Sequence, residues 1–282
     1  MLSSLTSGVS GLDSFQTQMD VIGNNIANLN TTGYKASTVD FEDAFSNQLM
    51  APSGGTSTSS GSNAIQVGTG VGISGITNNW AAGATSSTGI ASNLAITGNG
   101  GNGFFTVKDQ TTGNTYATRD GTFTTDLNGN LVTENGENVQ GYTDGTLSTV
   151  GNIKIDITGS PSTSPMVSYS IDSTGKVTVV QQDGTTFVRG QVLLQNYADP
   201  QKLVNVGNNL YTNIAEAGPS ALGAPGTAGL GNVQGSAIEL SNVDLSGEMA
   251  NLISAQRAFE ANSKIITTSN EVLQTVVNLK QS

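Results

Sequence analysis

Apolar residues near the two ends of the chain recur every seven positions, whereas those in the middle alternate every two. In the first thirty residues Leu5, Leu12, Met19 and Ile26 are seven apart, and Phe15, Ile22 and Leu29 form a second row with Leu2 and Val9 beside them. At the other end Leu245, Leu252, Phe259, Ile266 and Leu273 keep the same interval, flanked by Ala258, Ile265, Val272 and Leu279. A sustained seven-residue repeat is a helical seam of the coiled-coil type, so a helix is predicted at each end. Gly8, Gly11 and Gly23 are the expected weak points of the first helix. Before the second stands SNVDLSGEM, where Ser241 or Asp244 can cap the first turn and Glu248 lies where the helix dipole favours an acid.

Between the helices the pattern changes. Residues 46–64, ending SGGTSTSSGSNA, read as a polar low-complexity linker or extended arm. From about Ile65 onward, short apolar alternations are broken by turn dipeptides such as Asn128-Gly129 and Asp183-Gly184, which predict hairpins with tight, primed turns. The predicted fold class is α+β: a terminal-helix domain at 1–33 and 236–282, a linker or arm at 34–75, and a mainly β outer domain at 76–235.

Asn24, Asn25, Asn28 and Asn30 interrupt the end of the first seam, although asparagine suits helix interiors poorly. The first thirty residues carry only Asp13 and Asp20 as charged groups, too few for a solvated face. Both features fit helices packed on all sides by other copies of the chain, with Asn24, Asn25 and Asn28 supplying amide hydrogen bonds to neighbours and fixing register. Two such helices alone are marginal in water, so the ends are expected to be labile in a monomer and to order on assembly. The expected assembly interface comprises Leu5, Val9, Leu12, Met19, Ile22, Asn24, Asn25, Ile26 and Asn28 on the first helix. On the second it comprises Leu245, Leu252, Phe259, Ile266 and Leu273.

Composition narrows the chemistry. A net charge of −11 with ten scattered Lys and Arg argues against nucleic acid as a partner. The chain has no His and no Cys, which removes the usual hydrolase triad, thiolate chemistry and the commonest metal ligands. The run GNGGNG at 98–103 fits G-x-G-x-x-G, but FFTVKD after it reads as a strand and not as the helix a dinucleotide site needs, so it is taken as a glycine turn. Asp126-Leu-Asn-Gly-Asn130 lacks the later ligands of a calcium loop and reads as a hairpin turn. No catalytic, cofactor-binding or metal residues are assigned, and no small-molecule substrate is expected. MLSSLTSGVSGL lacks the basic region and apolar core of a secretory signal, so the chain is expected to be cytosolic or to leave by a route without a cleaved signal peptide.

Five stretches in order along the chain carry a family resemblance. NNIANLNTTGYK (24–35), STGIASNLAITGNGGNGFFTV (87–107) and YATRDGTFTTDLNGNLV (116–132) are the first three. YADPQKLVNVGNNLYTN (197–213) and ELSNVDLSGEMANLISAQRAFEANSKIITTSNEVL (239–273) complete the set. Together they resemble the bacterial flagellar rod and hook proteins. The resemblance implies an axial homopolymer whose terminal helices line a hollow tube, with the β domain outside. It also implies export through the flagellar type III apparatus, and rod proteins, a hook cap and hook–filament junction proteins as partners. The opening LTSGVSGL and closing VVNLK look more like a hook, the flexible universal joint outside the cell. The short length also suits a distal rod, the straight drive shaft in the periplasm. The reading favoured on these residues is a short hook protein, with the distal rod as alternative. A β-rich adhesin would share the composition, but it leaves the heptads unexplained and calls for a secretory signal.

Overall fold

The computed structural model describes residues 2–52, 54–55, 60–98 and 103–281. They form two compact units: residues 1–27, 37–79 and 244–282 make one, and residues 28–36 and 80–243 the other. This division differs from the expected one at both joins. Residues 28–33 and 236–243 belong with the β unit, and most of the expected linker belongs with the helices. Among the described residues no helix is long and apolar enough to cross a membrane.

The first unit is built on helix α1 (Leu2–Ala27) and helix α2 (Leu245–Gln281). Asp244 caps α2: its Oδ1 accepts from Ser246 N at 3.0 Å, and its carbonyl accepts the first intrahelical bond from Glu248 N at 2.9 Å. Helix α1 stops at Ala27. Gly33 adopts φ +66° within the β unit, where a Cβ would come within 2.7 Å of the Arg119 backbone. Parts of the expected linker are paired strands. Ser37–Asp43 runs antiparallel to Val71–Asn78, and Ser46–Met50 to Ile65–Gly68. Val39 and Phe41 face Ile76 and Ile73 across the first pair, and the Phe41 ring lies 5.9 Å from that of Phe15 on α1. The Ser/Thr/Gly composition of 46–64 obscures this alternation in the sequence.

The β unit is an antiparallel sheet. Its path runs through Met166–Ile171, Lys176–Gln181, Thr186–Val192, Asn138–Tyr142, Phe104–Lys108, Thr115–Thr118, Leu210–Thr212 and Val204–Gly207. Successive side chains of a strand point to opposite faces, and adjacent phenylalanines exploit this. Phe105 joins Leu94, Ile96, Phe123, Val139 and Val179 in the larger core, while Phe104 joins Tyr197, Leu203 and Tyr211 in a smaller one. Trp80 closes the smaller core, edge-on to Phe104 and Tyr211 with ring centroids 5.2 Å from each.

The hairpins fall where the dipeptides place them, but their turns are not primed. At 126–130 Gly129 N donates to Asp126 O, Asp126 N donates to Asn130 O, and at the turn tip only Gly129 has positive φ (+82°). The same pattern recurs at 181–185 around Gly184. This is the three-residue loop, a type I turn closed by a left-handed glycine, and not the two-residue type I′. The oxygens of Asp126 accept from Asn128 N, Asn130 N and Asn130 Nδ2. Residues 99–102 of GNGGNG lie outside the described residues, while Phe104–Lys108 beyond them is the expected strand.

Candidate functional site

Helices α1 and α2 are antiparallel. Asn25 Nδ2 donates to Glu248 Oε1 at 3.0 Å near one end of the pair. Toward the other end α2 presses on two glycines: a Cβ on Gly11 would lie 2.8 Å from Asn262 Nδ2, and one on Gly8 3.2 Å from Ile266 Cγ1. These glycines, expected as weak points, are places of close helix approach. Gly23, which has nothing within 4 Å, has no such role. Carried forward, this register runs out with the start of α1 near Val272, so the last two turns of α2 have no α1 opposite.

The expected interface residues are spread over three environments. Ile22 and Asn25 are buried. Leu5, Leu12, Met19, Ile26, Asn28, Leu252, Phe259, Ile266 and Leu273 are half-buried. Asn24, Val9 and Leu245 are exposed, as are Met249, Ile253, Ile265, Val272, Val276, Val277 and Leu279 along α2. An apolar patch of this length left exposed along one helix has the character of an interaction surface.

The asparagines behave differently from expectation. Asn25, 1% exposed, is spent inside the chain. Its Oδ1 accepts from Ser37 N at 3.0 Å and its Nδ2 donates to Ser37 O at 2.8 Å, besides the bond to Glu248. One amide thus ties the end of α1 to the first strand and to the first turn of α2. Asn28 lies beyond the helix, where its Oδ1 accepts from Thr31 Oγ1 at 3.0 Å.

The β unit has its own knot, which the sequence reading did not assign. Lys35, Arg119 and Glu239 are the buried charged residues among those described. Lys35 Nζ lies 2.6 Å from Glu239 Oε1 and donates to Ala81 O at 2.8 Å. Gly83 N donates to the same Oε1 at 2.9 Å. Arg119 Nη1 is 3.6 Å from Glu239 Oε2, and its guanidinium lies 4.6 Å from the centre of the Phe104 ring. Burial pushes the Lys35 ammonium below the ordinary lysine value against the pull of Glu239, and burial lowers Arg119 in the same way.

Each residue around this knot has a physical reason. Gly33 abuts the Arg119 backbone and donates its N–H to Glu239 O at 2.8 Å. Asp120 Oδ1 accepts from Thr32 Oγ1 at 3.1 Å and from Thr122 N at 3.0 Å. A side chain on Gly121 would overlap the Leu94 carbonyl. The signal available in the sequence was a charged residue set in each of three short motifs with glycine or apolar neighbours, GYK, RDG and IEL.

Sequence families match in three places. Residues 5–35 match a family described as flagella basal body rod protein, residues 95–179 the flagellar hook protein FlgE/F/G D1 domain, and residues 234–279 the flagellar basal body rod FlgEFG protein C-terminal. The flagellar basal-body rod protein FlgG of Bacillus subtilis is 42% identical over 282 residues, covering 100% of both chains. The chain belongs to the bacterial flagellar rod and hook protein family. The FlgG of Buchnera aphidicola subsp. Baizongia pistaciae is 36% identical over 276 residues, covering 97% of this chain and 98% of its own. The flagellar hook protein FlgE of Borreliella burgdorferi is 24% identical over an alignment of 446 residues, covering 99% of this chain and 100% of its own. That alignment is much longer than this chain, so a large part of the hook protein has no counterpart here. As a rod and hook family member, the protein is a structural subunit of the flagellar axis and not an enzyme, and proteins of this family assemble with themselves into axial structures. The preference for the hook drawn from LTSGVSGL and VVNLK is corrected: the comparisons favour the rod. Both ends fall within helices that rod and hook proteins share, so they discriminate poorly between the two.

Proposed function

We propose that the protein is the distal rod subunit of the flagellar basal body, polymerising through the seams of α1 and α2 into a straight, hollow shaft that carries torque from motor to hook. The observation that carries this reading is the match, end to end and at 42% identity, to a protein named as a basal-body rod protein. The uncovered apolar length of α2 supports packing against other copies, which would bury Val9, Ile265, Val272 and Val276. In this reading the neighbours along the axis are other rod proteins on one side and hook subunits on the other. The chain reaches its place in the periplasm through the type III export apparatus.

Isolated hook–basal bodies from cells expressing the protein with an epitope tag in the exposed turn around Gly145 test the assignment. Gold label within the straight rod is the expected outcome. Label along the curved hook would overturn it.

A further inference from the structure

The chain passes between the two units at 27/28, 36/37, 79/80 and 243/244. The β-unit residues beside the last three passages are bound to one another. Ala36 N donates to Asn242 Oδ1 at 2.8 Å, Asn242 Nδ2 to Ala81 O at 3.0 Å, and Leu240 N to Ala84 O at 2.8 Å. At the centre of these contacts lies Glu239, on the strand Ala237–Glu239 that pairs with Thr85–Ser87. Its carboxylate is the one acid buried, among the described residues, with two cations.

We infer that Glu239 is the closing piece of the β unit: until its carboxylate arrives, Lys35 and Arg119 cannot be buried together, and segment 28–36 stays undocked. The argument is one of charge. With Glu239 in place the cluster holds two cations and one anion. Without it, two like charges would share a desolvated site, and the cheaper course is to leave Lys35 in water. Because Lys35 and Arg119 precede Glu239 in the chain, a chain delivered from its N-terminus holds the β unit open until nearly all of it is present. The inference applies to a rod or a hook subunit alike.

The charge argument predicts an asymmetry that a simple sum of hydrogen bonds does not. Lys35→Met leaves Arg119 and Glu239 balanced, with Gly83 N still on Oε1. Glu239→Gln keeps an acceptor oxygen for Gly83 and Lys35 but leaves two cations unbalanced.

The readout is the rate of limited trypsin cleavage after Lys35 and Arg119 in the full-length protein, with cleavage after exposed Lys202 as internal control. Glu239→Gln is expected to raise cleavage after Lys35 and Arg119 by about a hundredfold or more. Lys35→Met is expected to change cleavage after Arg119 by less than about tenfold. Equal, small effects of the two substitutions would overturn the inference. If Glu239→Gln does not fold, the combination Lys35→Met/Arg119→Met/Glu239→Gln, which leaves no charge in the site, decides. Recovery of a folded β unit, read from Trp80 emission, is expected once both cations are gone. No recovery would assign the loss to the hydrogen bonds of Glu239 and sink the charge argument.

Discussion

In the β unit Phe104, Phe105, Phe123, Leu94 and Leu131 are each no more than 1% exposed. In the helical unit Ile22 is the buried large apolar side chain among the seam residues, while Ile253 is 59% and Val277 54% exposed. The two regions of one chain therefore stand at different stages of completion. The β unit closes two apolar cores within itself. The helical unit satisfies its polar groups internally, through Asn25 and Asp244, yet leaves its apolar stripe half covered. In the proposed rod subunit, polar contacts within the chain would orient the helices, and the uncovered apolar stripe would supply the driving force for assembly.

The comparison breaks most visibly if the two regions are damaged separately. Leu252→Asp or Phe259→Asp would place a charge in the apolar seam, and no polymer is expected by electron microscopy. Trp80 emission, which reports the β unit, should stay native in the same protein. A mutant that still built normal shafts would refute the seam assignment.

Phe105→Ala should do the reverse in sequence of events, opening the larger β core at a cost of about 3–5 kcal/mol in denaturant unfolding followed at Trp80. Asn25→Ala is expected to cost about 1–3 kcal/mol, since it orphans the Ser37 backbone groups. The loss should appear as reduced helical circular dichroism with the Trp80 transition unmoved. A shift of the Trp80 midpoint instead would mean that the amide supports the β unit as well.

The smallest effect concerns acid. Burial pushes the Asp156 carboxyl up, but hydrogen bonds from Arg189, Thr158 and Lys154 outweigh it and hold the group down at about 2. Arg189 Nε approaches to 2.6 Å and its Nη1 also donates to Thr143 O. A depressed carboxyl stabilises the fold fully above its unfolded value of about 3.9, and the contribution is lost as pH falls through about 2. Because the pair is partly exposed, the difference in stability between native protein and Asp156→Asn should stay under about 1 kcal/mol at pH 5 and shrink toward zero near pH 2. A difference that grew on acidification would reverse the sign of this argument.

Much of this architecture is written in local patterns. A seven-residue apolar repeat can only be satisfied by helices, and glycines at 129 and 184 mark turns because few other residues adopt their φ. What depends on distant partners is not legible. Lys35, Arg119 and Glu239 are scattered along the chain, and nothing local tells that they meet. The amide of Asn25 looks the same in sequence whether it serves its own chain or a neighbour. The strands Ser37–Asp43 and Ser46–Met50 were hidden by a composition that suits a linker equally well. Within the candidate interface, the sequence marks which residues are apolar, but only the α1–α2 register separates those already covered from those left for other copies.

The knot at Glu239 also bears on how such proteins diversify. A domain whose entry and exit strands are stapled together behaves as a cassette: sequence added between the staples lengthens a loop without moving the points where the chain comes and goes. The Borreliella hook protein, alignable with this chain from end to end yet much longer, is what such growth would leave behind. Selection could then enlarge the β unit while the segments that make up the helical unit kept their spacing.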